Sequence, residues 1–458
     1  MPTQHLETDY LILGAGAMSM GFADVILTED PTAQIVMVDR HANPGGHWND
    51  AYPFVRLHQP AVYYGLVSTD LGQGGEDLSS GADLLAYYRD AMDRFVRTGR
   101  VRFLPMSEYQ GDGRIVSTLS PDRVTTVTAR RRIVDGTYNQ VKVPSVCPPR
   151  YEVAPDVTVI PPNDLTQIRQ PWERYVIVGA GKTGIDSILF LLDNGVDPDR
   201  IQWIMPNDAW LLDRAYMQPG IVLDTVVAMQ QSIVDSSTID DAFLQLERQQ
   251  IVFRLDPGSL PAKWRCATVD RREFAGLCRV KDVVRMGRVQ RIGDGEMQLD
   301  GGTVSVPSDT LFVDCSANGL VKIDPRPLYS EGRVTLQPVF MCQQTFSAAL
   351  IAHLELLDMS DDRRNRICAP VPHPELVEDL PRALVVTSRN MLNCTRHMAL
   401  WLRRCRLYLG HHAPPHRYLL SSAKLALMQR RAVASMDRFG RSAAVEPVDQ
   451  REPVGAGV

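Results

Sequence analysis

Asp9-Tyr10-Leu11-Ile12-Leu13-Gly14-Ala15-Gly16-Ala17-Met18-Ser19 decides the fold. A short apolar run ends in a G-x-G turn, and an apolar helical stretch follows through Leu27. Gln34-Ile35-Val36-Met37-Val38 then reads as a second buried strand, closing at Asp39. That is one β-turn-α-β unit of about 30 residues. A G-x-G turn lets the backbone approach a pyrophosphate, whose charge the N–H groups and positive end of the next helix hold. An acid closing the second strand accepts hydrogen bonds from ribose hydroxyls, and Asp39 stands 25 residues after Gly14, near the usual spacing of about 20. The third glycine position holds Ser19, small enough for close helix–strand packing, with Gly21 two residues on. Gly14, Gly16, Ala17, Ser19, Asp39 and Arg40 are the expected contacts of a first dinucleotide.

A second unit begins roughly 165 residues downstream, too far for a solenoid repeat. Tyr175-Val176-Ile177-Val178 leads into Gly179-Ala180-Gly181-Lys182-Thr183-Gly184, an intact G-x-G-x-x-G. A helix through Leu192 closes at Asn194-Gly195, and Ile201–Met205 makes the next strand. Gly181-Lys182-Thr183 also hints at a phosphate-binding P-loop. That motif needs a glycine where Val176 stands, so NADH or NADPH is the expected ligand. Gly179, Gly181, Lys182, Thr183, Gly184 and Asn207 are its expected contacts. Asn207, past the second strand, carries no charge for a 2′-phosphate; Arg200 and Arg214 are the substitutes in view, and the choice between NADH and NADPH stays open.

The rest of the chain is consistent with a globular protein of two or three domains. It has 458 residues, 44% apolar and 22% charged, with a net charge of −5. Such a balance gives no whole-chain attraction to nucleic acid or to an anionic membrane. No apolar run approaches the roughly 20 residues of a membrane span, and the N-terminus lacks the form of a secretory signal; a cytoplasmic location is expected. None of the eight cysteines forms a close pair in sequence, which argues against a dithiol redox centre and against zinc. His411, His412 and His416 lack companion acids, so no metal is expected. From Arg389 to Arg438 the chain reads as helical, with ten Lys/Arg against one acid; a solvated face, or one beside an anionic cofactor, is the plain reading. The stretch from Ser442 is Pro/Gly/Ala-rich and predicts disorder.

Pro44-Gly45-Gly46-His47-Trp48, followed by Tyr52-Pro53-Phe54-Val55-Arg56-Leu57-His58-Gln59-Pro60, resembles the flavin-containing and Baeyer–Villiger (class B) monooxygenases. In that family a Gly-Gly-x-Trp turn and a Tyr-Pro-x-x-Arg run follow the first nucleotide motif. The resemblance implies FAD at the first site, with Gly46, His47, Trp48, Arg56, His58 and Gln59 along its pyrophosphate and ring. It is good over residues 8–66 and clear over 174–190. The chain departs from the family at His58, where Baeyer–Villiger enzymes carry Asp, and lacks the Phe-x-Gly-x-x-x-His fingerprint before the second motif. Asp314-Cys315-Ser316-Ala317-Asn318-Gly319 resembles the Ala-x-Gly turn by which such proteins return to the FAD domain, bringing Ala317 and Gly319 into the site. Val339-Phe340-Met341 reads as a strand opening, through Gln343 and Gln344, into an apolar helix over 346–357 whose N-terminus is implied to face the flavin.

The expected fold is therefore α/β with two Rossmann-like dinucleotide-binding domains and C-terminal helices. The FAD domain is expected over 1–169 and 306–384, the NAD(P) domain over 170–305, a helical segment over 385–441 and a tail beyond. The expected function is NAD(P)H-dependent flavin monooxygenation of a small organic molecule with O₂, with His58 as the candidate catalytic side chain. The alternatives are a flavin oxidase or dehydrogenase with an idle second site, and a non-catalytic nucleotide-binding protein. The substrate class and oligomeric state are left open.

Overall fold

A computed structural model describes residues 4–74, 77–319 and 322–442; the tail expected to be disordered lies outside the described residues from 443 onward. The first sheet is eight-stranded. Its path runs Tyr329–Ser330, Arg333–Thr335, Val124–Asp135, Gln4–Leu13, Ile35–Val38, Val101–Leu104. Gln4–Leu13 lies parallel to both Ile35–Val38 and Val124–Asp135, with Leu13 opposite Val38 and Asp135. Its inner half is buried on both faces, which explains an apolar run without alternation.

Two helices cover the first sheet from one side. Ala17–Glu29 is buried at every position from Ala17 to Leu27, and Gln344–Leu356 is buried nearly all round. A helix apolar on all faces belongs in a core, and these two pack against each other.

The second sheet has five parallel strands in the order Asp282–Val284, Ile201–Ile204, Arg174–Val178, Thr310–Asp314, Thr158–Ile160. Two of them, Thr158–Ile160 and Thr310–Asp314, come from outside the 170–305 span expected for the inserted domain. They are short and read alone as strands of either sheet; only their pairing with Arg174–Val178 and each other assigns them. A four-stranded sheet of Glu152–Val153, Val289–Gly293, Glu296–Leu299 and Gly302–Ser305 covers this sheet.

One expected strand is absent. Val339-Phe340-Met341 forms a bend and turn, although Val339 and Phe340 are fully buried. Burial alone gave that segment its strand-like composition. The last described residues form two long helices, Asp379–Arg404 and Pro415–Ser442, which pack on each other and on Val222–Asp235. Among the described residues no helix is long and apolar enough to cross a membrane.

Candidate active site between two glycine turns

The first turn forms as its residues dictate. Gly14 has φ +84, a region open to glycine and costly for other residues, and Gly16 is the N-cap of the Ala17–Glu29 helix. Ser19 occupies the third-glycine place at no steric cost because its neighbour is Gly136. A Cβ at residue 136 would collide with the Ser19 hydroxyl. The side chain missing from the motif is thus accommodated on the facing strand end.

Asp39 closes the second strand with its carboxylate against this turn. It accepts the Ala15 N–H at 2.5 Å and the His41 N–H at 2.8 Å, and its Oδ1 lies 2.8 Å from His41 Nδ1. Burial alone would raise its pKa, but these hydrogen bonds outweigh burial and hold it below the usual carboxylate range. His41 is raised by its bond to Asp39, opposed by burial and aided by Asp50, 3.0 Å from Nε2. Arg40 is largely exposed, 3.7 Å from Asp50.

Pro44-Gly45-Gly46 folds back onto the turn, with Gly45 N–H donating to Ala15 O at 2.8 Å. His47 and Trp48 follow in a short 3₁₀ turn. The Trp48 indole N–H donates to the Tyr64 hydroxyl at 3.0 Å, and burial pushes the His47 ring down to about 4. Arg56 is exposed and donates to Leu78 O at 3.3 Å.

Residues 52–59 then cross to the second unit. The Tyr52 hydroxyl donates to Asp186 at 2.6 Å, and Phe54 stacks on Phe190 with ring centroids 4.3 Å apart. Asp186 also pairs with Lys182, the first residue of the Lys182–Asp193 helix. Thr183 is a hydrogen-bond neighbour of Tyr52. Gly179 has φ +121, and a Cβ at Gly184 would strike Gly179 O, so both hold strand and helix together. Gly181 differs: a Cβ there meets nothing within 4 Å, leaving the approach to its backbone open.

Burial, with lesser contributions from Lys182, Arg214 and His373, drives the His58 ring down to about 3. Its Nδ1 is buried and unpartnered. Gln59 and Gln343 meet side chain to side chain at 3.1 Å, and Gln343 is the N-cap of the Gln344–Leu356 helix with its own Oε1 buried and unpartnered. Asn318 Oδ1, between Ala317 and Gly319, is likewise unpartnered. Gly319 O accepts from Lys142 N at 3.1 Å, in a loop whose Asn139 reaches Met18 at the start of the first helix. Buried polar atoms are normally satisfied. His58 Nδ1 and Gln343 Oε1, brought near one another by the Gln59–Gln343 bond, fit a bound polar group contributing the missing partners.

Neither arginine expected near the second nucleotide is free. Arg200 precedes Ile201, at the entry end of its strand, and donates to the carbonyls of Trp172 and Glu173. Arg214 is buried, paired with Asp270 at 3.0 Å and Glu273 at 2.6 Å, and donates to His58 O. Ligands bind at the carboxyl ends of parallel strands, and there the structure offers Arg285, which sequence reading missed. Arg285 follows the strand paired with Ile201–Ile204 and is paired too, gripping Asp208 through two bonds of 2.9 and 3.0 Å and lying 3.7 Å from Asp256. Exposed Asn207 stands beside them. Met205 and Arg285 line one cavity of about 600 Å³ with Phe253, Phe274 and Arg254. Only the spatial pairing of Ile204 with Val284 could have flagged Arg285.

Arg406 was also hidden within the basic C-terminal stretch. It spans the carbonyls of Val62, Tyr64 and Leu66 at 2.7–2.8 Å, so the C-terminal segment clamps the run that follows the Gly-Gly-x-Trp turn. Cys266, Cys342 and His373, far apart in sequence, come together beside Gln343.

No family model matches the chain. It is 41% identical over 473 residues to the uncharacterised protein Rv2000 of Mycobacterium tuberculosis, covering 98% of this chain and 87% of that protein. The same figures hold for the uncharacterised protein Mb2023 of Mycobacterium bovis. Among solved structures, the closed crystal structure of cyclohexanone monooxygenase matches with a TM-score of 0.50 at 13% identity, over 95% of this chain and 98% of that one. The open crystal structure of cyclohexanone monooxygenase gives 0.50 and 13%, over 94% and 98%. That likeness establishes the fold, the two-dinucleotide arrangement of the class B flavin monooxygenases. The chain belongs to one family with the mycobacterial proteins Rv2000 and Mb2023, and that family has this fold.

Proposed function

We propose that the protein is an FAD-dependent, NAD(P)H-using monooxygenase acting on a small organic molecule with O₂. One observation carries the reading. The run that leaves the first glycine turn rests on Lys182, Thr183 and Asp186 at the second, and it carries His58, with Nδ1 unpartnered, and Gln59, which meets Gln343, with Oε1 unpartnered.

Gly14, Gly16 and the Ala17–Glu29 helix terminus hold the FAD pyrophosphate, with Asp39 and Arg40 towards the ribose. Gly46, His47, Trp48, Gln59, Ala317 and Gly319 wall the rest of the FAD site. When bound, FAD supplies the electron-transfer and oxygen-activating chemistry. The N-terminus of the Gln344–Leu356 helix places about half a positive charge on the cleft, suited to an anionic group. His58 is a neutral ring at neutral pH and offers Nδ1 for a hydrogen bond. Gly179, Gly181 and Gly184 admit the nicotinamide nucleotide backbone. Arg285 and Asn207 stand towards its adenosine ribose, and Arg285 turned from Asp208 and Asp256 would supply the charge for the 2′-phosphate of NADPH.

The test is anaerobic mixing with NADPH or NADH while following the flavin absorbance, then turnover under labelled O₂. Bleaching followed by one labelled oxygen in product supports the reading. Unlabelled oxidised product with stoichiometric peroxide assigns an oxidase instead. Protein that never takes up FAD refutes both.

A further inference from the structure

Cys266, Cys342 and His373 come from three separate parts of the chain, and the nearest ligating atoms of all three lie within 4.8 Å of one another. Both cysteines are placed by unusual pieces of backbone. Cys266 lies in the strand Lys263–Val269, in a bulge where the register against Ala209–Asp213 slips, and has φ +55. Bulges re-aim a side chain. Cys342 follows Met341, at φ +33, and immediately precedes the Gln343 N-cap. A thiol at a helix N-terminus is stabilised as thiolate. His373 Nδ1 lies 2.9 Å from the Pro374 carbonyl, to which it donates, so Nε2 carries the lone pair; it faces Cys342 Sγ at 3.6 Å.

We propose that Cys266 and Cys342 are a redox-active dithiol–disulfide pair, served by His373, that exchanges two electrons with the cofactor cleft. The cleft is adjacent, since His373 acts electrostatically on His58 and Gln343 joins Cys342 to Gln59. Closing the pair breaks two S–H bonds and forms one S–S bond. Two electrons and two protons leave, one proton by way of His373 Nε2, and a small organic disulfide accepts them to become two thiols. Opening takes a hydride equivalent from NAD(P)H, which becomes NAD(P)⁺, and one proton from solvent. The source of those electrons rests on the function proposed above; the pair itself does not. A structural metal would use four protein ligands, and among the described residues this group holds three.

The experiment maps alkylatable thiols in the full chain by peptide mass spectrometry. Oxidised glutathione is expected to remove two thiols and yield a linked Cys266–Cys342 peptide. Dithiothreitol should restore both, and so should NADPH under argon, at least tenfold faster than in Gly181→Val. His373→Gln should slow closure about tenfold and still permit it. Failure to form the linked peptide overturns the proposal, as does one zinc per chain that shields both thiols until chelated. A linked peptide opened by dithiothreitol but not by NADPH, while the flavin bleaches, overturns electron exchange and leaves the flavin reading intact. If NADPH neither bleaches the flavin nor opens the peptide, the proposed function fails and electron exchange with it.

Discussion

The Tyr52 hydroxyl donates to the Asp186 carboxylate at 2.6 Å, joining the segment that follows the first glycine turn to the helix that follows the second. Asp186 has Lys182 as its other partner. Tyr52→Phe removes one bond to a charged acceptor, worth about 1.5–3 kcal/mol, and leaves Lys182–Asp186 in place. The expected result is a lower denaturant midpoint, together with slower reduction by NADPH because the two units lose a shared anchor. An unchanged midpoint would show that this bond contributes nothing between the units.

Ser19 and Gly136 make a second such pair. Gly136→Ala places a Cβ on the Ser19 hydroxyl, so the first turn must shift. The variant should bind FAD more weakly and melt lower. Adding Ser19→Gly should restore both properties in part, since the Leu13 carbonyl at 3.0 Å remains, and a double variant no better than the single one would discount the pairing.

The fold was legible because its signals are local. Gly14, Gly16 and Asp39 lie within one β-turn-α-β run, and Gly179–Gly184 within another. What escaped was long-range. Thr158–Ile160 and Thr310–Asp314 join the second sheet through pairing that their composition does not encode. Arg285 is in reach of Asp208 only because Val284 pairs with Ile204. Cys266 and Cys342 looked unpaired because sequence spacing reports only neighbours. Val339-Phe340-Met341 misled in the opposite direction, since deep burial gives a bend the same apolar composition as a strand.

Arg285 decides nucleotide choice in this reading. Arg285→Ala removes the charge at the carboxyl edge of the second sheet and frees the Asp208 carboxylate, which repels a phosphate. The expected outcome is a fall of tenfold or more in kcat/KM for NADPH with a smaller change for NADH. Equal losses for both would mean that Arg285 is structural and that the 2′-phosphate lies elsewhere.

The histidines predict a pH profile. His47, His58 and His373 are held near 4, 3 and 4 by burial, well below the ordinary value of about 6.5. The unfolded chain therefore takes up protons that the native state refuses between about pH 6.5 and 4. Stability present above the ordinary value is lost as pH falls through that window, by at most about 1.4 kcal/mol per pH unit for each ring. His41, raised by Asp39 and Asp50, works the other way, its contribution lost as pH rises through its folded value. Three rings against one give a net fall in melting temperature from pH 7 to 5, measurable by a thermal scan without nucleotide. His58→Gln should flatten that slope, and a slope unaltered by it would show that folding does not lower the His58 pKa.

The last prediction separates the two nucleotide sites. Gly181 and Gly184 belong to one motif but meet different surroundings. A side chain at Gly184 collides with Gly179 O, whereas one at Gly181 meets nothing within 4 Å. Gly184→Val should therefore fail as a fold. Gly181→Val should fold normally and retain FAD, because its isopropyl group projects only into the approach to the second turn. Close orientation governs the rate of a transfer between two bound groups, so obstructing that approach should slow reduction by NADPH at least a hundredfold. Reduction by dithionite, which needs no nucleotide site, should be unchanged. Stopped-flow absorbance with each reductant measures both rates. Equal slowing with dithionite would place the fault in the FAD site, and undiminished reduction by NADPH would remove the second glycine turn from the reaction.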